Sequence, residues 1–291
     1  MAKQILKLGI PVGSLQQATI ELFGKAGFHI TDSKRSYRPG INDEQIQLIM
    51  LRAQEMSRYV EDGVLDAGIT GHDWITENAS DVVEVCELAY SKATSNPARW
   101  VLAVPDESEV ESAKELAGGI IATELKNVTK RFFADKQIDV KVEFSWGATE
   151  VKARLVDAIV ELTETGTSLR ANNLRIIDTV IRSTTRFIAN KQSWADSFKH
   201  EKIENISILL NAAVNAGNMV GLKMNIKKDD LDSILKILPA EKSPTVSSLA
   251  DSDYVAIEVI IDDKIERSLV PELKRAGASA IITYPLNKVI H

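Results

Sequence analysis

Short apolar runs of strand length alternate, from the first residues onward, with stretches whose apolar positions recur at helical spacing. That alternation confines the chain to an α/β architecture with largely parallel or mixed sheets. Ile5–Ile10 comes first, followed by Leu15, Ala18, Leu22 and Ala26 at helical spacing, with Gly27 as the stop. Further strands are predicted at Ile46–Leu51, Ala67–Ile69, Val82–Leu88, Trp100–Val104, Gly119–Ala122, Val140–Phe144 and Ala158–Leu162. Asn96-Pro97 before a new strand, and a return through Leu174–Ala189, point to two α/β lobes between which the chain crosses twice.

A long helical pattern from Trp194 to about Ala216 ends at Gly217-Asn218, where a new unit begins. It reads strand Val220–Ile226, a helix carrying Leu231, Ile234, Leu235 and Leu238, strands Thr245–Leu249 and Tyr254–Ile261, a helix around Leu269–Ala276, and strand Ala280–Tyr284. This βαββαβ order is the ferredoxin-like pattern. The expected division is therefore 1–95 with 184–216 as one lobe, 96–183 as the second, and 217–291 as an appended module of the kind often used for regulation or assembly.

At 291 residues the chain exceeds one ordinary core, and 44% hydrophobic with 26% charged residues is the composition of a globular protein. A net charge of -6 without a basic run argues against nucleic-acid and anionic-membrane partners and leaves small molecules. The start, MAKQILKLGIPVG, has no apolar stretch long enough for a signal peptide or membrane span, and Cys86 alone permits no intrachain disulfide, so a cytoplasmic setting is expected. Cys86 itself reads as a small buried apolar residue.

Three strand-to-helix turns carry the candidate chemistry. In ELTETGTSL, residues 161–169, Glu161 and Glu164 stand with Thr165, Gly166, Thr167, Ser168 and Leu169 just past an apolar strand, and Asp157 lies further back. Hydroxyls and glycine there are equally the residues of a plain turn and of a cup whose N–H groups and hydroxyls hold a phosphate, with carboxylates accepting from sugar hydroxyls. Glu161 is the stronger of the acids, because strand alternation orients it away from Val160 and Leu162; Asp157 reads as solvated. The second turn is DAGITGHDW, residues 66–74, in which Thr70 and Gly71 let a ligand approach the backbone and His72 reads as a surface helix residue. The third, GIPVGSL, residues 9–15, offers Gly13 and a Ser14 that suits a helix N-cap. Arg52 and Arg99 beside strand-like runs are candidate ligands for anionic oxygens.

ELTETGTSLRANNLRIID, together with LRAQEMSRYVEDGVLDAGITGHDWI, resembles the ATP phosphoribosyltransferase family, the first enzyme of histidine biosynthesis. NMVGLKMNI, LPAEKSPTVSSLAD and AGASAIITYPLNKVI extend the likeness over nearly the whole chain, including the regulatory domain of the long form. The resemblance implies a two-lobed catalytic body of the type II periplasmic-binding-protein kind, a Mg²⁺-dependent pentosyl transfer from 5-phosphoribosyl diphosphate to ATP, a homohexamer interconverting with dimers, and feedback inhibition by histidine. It assigns the 5-phosphate to Thr165, Gly166, Thr167 and Ser168, the ribose hydroxyls to Glu161, and the polyphosphate or nucleotide side to Arg52 with the Gly68–Gly71 turn. Mg²⁺ would be bound mainly through substrate diphosphate rather than a protein cage. Histidine would be met by Asn225, Ser243, Thr245, Ile260 and Ala280. Two departures stand out: Val12-Gly13-Ser14 replaces a Lys-Gly-Arg or Lys-Gly-Ser turn, and Glu161 replaces an Asp. The alternative from another class is a non-catalytic two-lobed binding paralogue, to which Val12 adds weight.

Overall fold

The computed structural model describes residues 4–31, 37–89, 97–239 and 244–290. The chain opens with β1 (Leu6–Val12), α1 (Gln16–Ala26), a two-strand ribbon of β2 (Ile30–Thr31) and β3 (Gly40–Ile41), β4 (Ile46–Arg52), α2 (Ala53–Glu61), β5 (Ala67–Gly71), α3 (His72–Asn78) and β6 (Val83–Leu88). It continues through β7 (Ala98–Pro105), β8 (Ile120–Thr123), α4 (Lys126–Asp135), β9 (Lys141–Phe144), α5 (Thr149–Lys152), β10 (Ala158–Thr163), α6 (Thr167–Ala171) and β11 (Leu174–Ser183). Then come β12 (Thr185–Ala189), α7 (Lys191–Ala195) and α8 (Ser197–Ala216). The last stretch is β13 (Met219–Lys227), α9 (Leu231–Ile237), β14 (Thr245–Ser248), β15 (Tyr254–Asp262), α10 (Asp263–Arg275) and β16 (Ser279–Pro285).

Two five-stranded sheets, ordered β4-β1-β5-β12-β6 and β11-β7-β10-β8-β9, form the two lobes. Their plan is the same. A parallel trio (β4, β1, β5 in one lobe, β9, β8, β10 in the other) is followed by one antiparallel strand that has just arrived from the opposite lobe, β12 or β7, and then by a final strand. The chain thus changes sheets between β6 and β7 and again between β11 and β12, where Thr184 alone separates the two strands. The return segment Leu174–Ala189 is two strands of different sheets.

Sequence patterning accounts for most of these elements. The alternation Leu6, Leu8, Ile10 buries one face of β1, and Gly9 on the other face lies against Met56 of α2, which is fully buried with Val60. Gly27 ends α1 in the left-handed conformation (φ 101°) that glycine adopts without strain. The long helical pattern is split: Asn190 caps α7 by accepting from Gln192 and Ser193 N–H at 2.9 and 3.1 Å, and the extended ψ of Asp196 (124°) breaks it from α8. Asp66, just before β5, is 5% exposed and accepts from Lys7 N–H, Ser193 Oγ and Lys199 Nζ, each at 2.7 Å. A buried carboxylate so fully partnered fixes where α7 and α8 begin against the first sheet. Cys86 is half-buried in β6, less covered than the sequence implies.

The chain divides into two compact units, residues 1–207 and 208–291. The division falls inside α8 rather than at Gly217-Asn218, because the last turns of that helix belong with the second unit, where Val289 N–H donates to the Ala212 carbonyl at 2.9 Å. The second unit has strand order β14-β15-β13-β16, all antiparallel, with α9 and α10 covering Leu222, Met224, Ile226, Val255, Ile257 and Ile261. Order and connection are those of the ferredoxin-like fold. No helix among the described residues is long and apolar enough to cross a membrane.

Close approach of α2 to the first sheet requires glycine at position 68, where a Cβ would stand 2.7 Å from Met56 Sδ and 3.1 Å from Val60 Cγ2. Gly68→Ala is expected to lose about 1–3 kcal/mol through overpacking, read as a lower denaturant midpoint at unchanged slope.

Candidate active site

The carboxyl ends of β1, β4 and β5 in one lobe and of β8 and β10 in the other open on one cleft of about 600 Å³. Strand ends of this kind leave backbone N–H groups and short turns facing the space, which is where open α/β sheets hold ligands. The first lobe contributes Val12 at the end of β1 with Gly13 and Ser14 beyond it, Arg52 at the end of β4, and Gly71 at the end of β5 with Asp73 and Trp74 beyond it. The second contributes Glu124 after β8, and Glu161, Thr163, Glu164, Thr165, Thr167 and Ser168 from β10 and its loop. Trp100, Ser183, Thr184 and Thr185 from the crossover strands form the floor.

The β10 loop is a closed turn on the cleft wall. Thr163 is 7% exposed, and its Oγ1 accepts from Gly166 N–H at 2.7 Å, closing the turn from inside. Gly166 adopts φ +75°, strained for any side chain, and a Cβ there would lie 2.9 Å from an Arg170 guanidinium nitrogen. With the turn held by Thr163, the hydroxyls of Thr165 and Thr167 lie 2.9 Å apart at the cleft, and Ser168 Oγ donates to Glu150 Oε1 at 2.5 Å. Leu169, by contrast, is 1% exposed in the core behind the loop. Its side chain does not reach the cleft.

Two other expected residues stand apart. Thr70 is fully buried and its hydroxyl donates to the Ala53 carbonyl at 2.7 Å, and Arg99 on β7, opposite Thr163, is not part of the cleft wall. Ser14 faces the cleft and does not cap α1, whose N-cap is Leu15 without a side-chain bond. His72 Nδ1 lies 3.6 Å from Glu84, outside the cleft wall. Asp157 accepts from Ile120 N–H at 2.7 Å at the opposite end of the sheet. Arg52 makes no ion pair among the described residues.

Several wall residues carried no obvious signal. Asp73, 4% exposed, accepts from Trp100 Nε1 at 2.6 Å and Trp74 N–H at 3.0 Å, while its own N–H donates to Ser183 Oγ at 3.1 Å. Burial raises its pKa. Glu124 stands at the end of β8 as Glu161 does at the end of β10, so the grammar that singled out Glu161 applied to it as well. Burial pushes Glu161 up to about 7, opposed by hydrogen bonds from Thr149 and Leu162 N–H and aided by repulsion from Glu150 and Glu124.

In the second unit, residues paired across antiparallel strands share a face. Asn225 pairs with Ala256, Thr245 with Glu258 and Ile260 with Gly221, placing all three on the sheet face away from α9 and α10. Ala280 adopts φ +45° beside the irregularity where β16 meets β13. Ser243 lies outside the described residues.

Fold and cleft together define a two-lobed α/β body of the periplasmic-binding-protein type with the threonine-rich β10 loop on one wall of its cleft. Residues 52–212 match the family model described as ATP phosphoribosyltransferase, and residues 216–288 that of the HisG C-terminal domain. An ATP phosphoribosyltransferase of Chlorobium chlorochromatii is 57% identical over 288 residues, 99% of this chain and 98% of that one. One from Pelotomaculum thermopropionicum is 54% identical over 286 residues, 98% and 99% of the two chains. Among solved structures, the ATP phosphoribosyl transferase (HisG:HisZ) complex from Thermotoga maritima superposes with a TM-score of 0.62 at 27% identity, covering 73% of this chain and 99% of that chain. The chain belongs to the ATP phosphoribosyltransferase family, in its long form with the C-terminal domain, and is a pentosyltransferase of histidine biosynthesis.

The raised pKa of Glu161 has a stability signature. An unfolded glutamate ionises above its ordinary value of 4.5 and the folded one only near 7, so the contribution of this group is full below pH 4.5 and is lost as pH rises to 7. Glu161→Gln lacks that loss. The variant is expected to match the parent near pH 4 and to exceed it by about 2–3 kcal/mol at pH 8, measured by urea unfolding at both values.

Proposed function

We propose that the chain joins ATP to 5-phosphoribosyl diphosphate, giving N1-(5-phosphoribosyl)-ATP and diphosphate. The observation that carries this is the meeting of Glu161, the Thr163–Ser168 loop and Arg52 on one cleft. In this reading Thr165, Thr167 and Ser168 hold the 5-phosphate and Glu161 accepts from the ribose hydroxyls. Arg52, with the turns at Gly13 and Gly71, receives the polyphosphate. Adenine N1 attacks C1 of the ribosyl group as the bond from C1 to the diphosphate oxygen breaks. The protein orients the two substrates and stabilises the charge that shifts between them, with no covalent enzyme intermediate.

Mg²⁺ fits the cleft as an ion carried on substrate diphosphate. The described wall holds four carboxylates, Asp73, Glu124, Glu161 and Glu164, against the single guanidinium of Arg52. No group of three or more metal-ligating side chains is assembled among the described residues. Glu124 and Glu161 would meet the ion from the protein side, and it supplies charge shielding of the departing diphosphate. Val12 takes its place in the wall where the family resemblance expects lysine.

Histidine is the proposed inhibitor, bound by Asn225, Ser243, Thr245, Ile260 and Ala280 in a cytoplasmic homo-oligomer that exchanges between dimer and hexamer. The common face of Asn225, Thr245 and Ile260 supports that site, and the assembled state of the Thermotoga maritima neighbour supports association. Inhibition at a distance requires a coupling of about 1–3 kcal/mol between the sites.

One experiment tests both levels. Diphosphate release by the purified chain is expected to need ATP and 5-phosphoribosyl diphosphate together, and to fall on titration with histidine. Thr245→Ala is expected to raise the half-inhibiting histidine concentration roughly tenfold, the loss of one hydrogen bond to a charged group. Binding of either substrate without turnover would make the chain a binding paralogue. Equal inhibition of parent and variant would move the effector site elsewhere.

A further inference from the structure

Trp146 is 90% exposed, more than any other large apolar side chain described, yet the loop that carries it is firmly held. The preceding Ser145 is fully buried, its N–H donates to the Thr123 carbonyl at 2.8 Å, and its Oγ accepts from Thr149 Oγ1 and Lys152 Nζ, both at 2.9 Å. The two following residues, Gly147 and Ala148, both lie in the left-handed region, with φ of +92° and +48°. Such strain in a non-glycine residue persists only where the surroundings impose it. Phe144 supports the indole edge-on, with ring centres 4.8 Å apart at 77°. One aromatic face is therefore presented on a fixed mount.

The mount stands next to the cleft wall without lining it. Pairing of Phe144 with Thr123 sets the loop beside Glu124, and a Cβ on Gly147 would lie 3.8 Å from Glu124 Oε1. Glu124 is a cleft wall residue, and Glu150, just beyond the loop, accepts from Ser168 of the phosphate cup at 2.5 Å. The indoles already in the wall are occupied. Trp100 is 3% exposed with its Nε1 bound to Asp73, and Trp74 packs edge-on against it at 6.0 Å. A purine ring entering the cleft needs a flat apolar face on which to stack.

We propose that Trp146 is that face: the purine of the nucleotide substrate stacks on its exposed indole, beside Glu124 and the phosphate cup. The proposal rests on the nucleotide-using reaction above, and its test separates the two. Trp146→Ala and Trp146→Phe are made in the full chain, and ATP and 5-phosphoribosyl diphosphate are each varied in kinetics. ATP binding is titrated by calorimetry, and assembly is followed by light scattering. Trp146→Ala is expected to weaken ATP roughly tenfold to a hundredfold in both KM and Kd, the range for loss of one base–aromatic stack. The KM for 5-phosphoribosyl diphosphate should stay within about twofold, and Trp146→Phe should recover most of the ATP affinity. An active parent with unaltered ATP affinity in Trp146→Ala overturns the stacking role alone, as does equal weakening of both substrates. A changed assembly state in that variant assigns the indole to a subunit contact and overturns it too. A parent that neither binds ATP nor releases diphosphate overturns the reaction itself.

Discussion

Where the chain crosses between its lobes, the carboxylate of Asp73 is enclosed by groups from both. Trp100 Nε1 reaches it from the first strand of the second lobe, and Ser183, at the end of the strand that leaves that lobe, accepts from the Asp73 N–H and donates back to the carboxylate. A buried carboxylate without partners is costly, so each of these donors is held where it is by the expense of leaving the others unpaired. Gly71 permits the arrangement, since a Cβ there would collide with the Asp73 carboxylate. Four residues on, one turn along the same face of α3, Glu77 accepts from the N–H groups of Asn127 and Val128 at 2.9 Å and so caps α4 of the second lobe. One short helix thus locks a crossover and a neighbouring helix to the first lobe.

The fold was legible in the sequence where a single element carries its own pattern. Alternating β1, the apolar core strand β10 and the βαββαβ order of the last unit all follow from local periodicity. What periodicity does not contain is sheet membership. β7 and β12 read as ordinary strands, yet each adds antiparallel to the edge of a parallel trio, and only pairing between residues as far apart as Val101 and Glu161 or Ile69 and Phe187 decides it. The split of the long helical pattern at Asp196 also escaped, because the Asn190 cap restarts the helix earlier than the apolar spacing indicates.

At the site, the Thr-Gly-Thr-Ser loop announced itself by composition, and Glu161 by its place at a strand end. Thr70 and Leu169 have the same neighbourhoods in sequence but point inward, one to the Ala53 carbonyl and one into the core. A hydroxyl or apolar side chain gives no sign of its direction until the strand or helix that holds it is placed. Asp73 was hidden for the converse reason. Its partners lie 27 and 110 positions away, so nothing adjacent marks it as buried.

Charge joins these observations into one account of the cleft. Four described carboxylates face one guanidinium there, and two neighbouring acids help hold Glu161 up at about 7. A phosphorylated ligand entering such a wall meets repulsion unless neutral donors hold it or a cation travels with it. In the proposed reading the β10 loop supplies neutral donors, the hydroxyls of Thr165 and Thr167, left at the cleft because Thr163 closes the turn from within, while the Ser168 hydroxyl donates to Glu150. In the same reading, Val12 in the opposite wall leaves more of the compensation to a metal-borne diphosphate and to Arg52. On that proposal the acids position sugar hydroxyls and ion, and the uncharged loop is what allows them to stand so close to a phosphate.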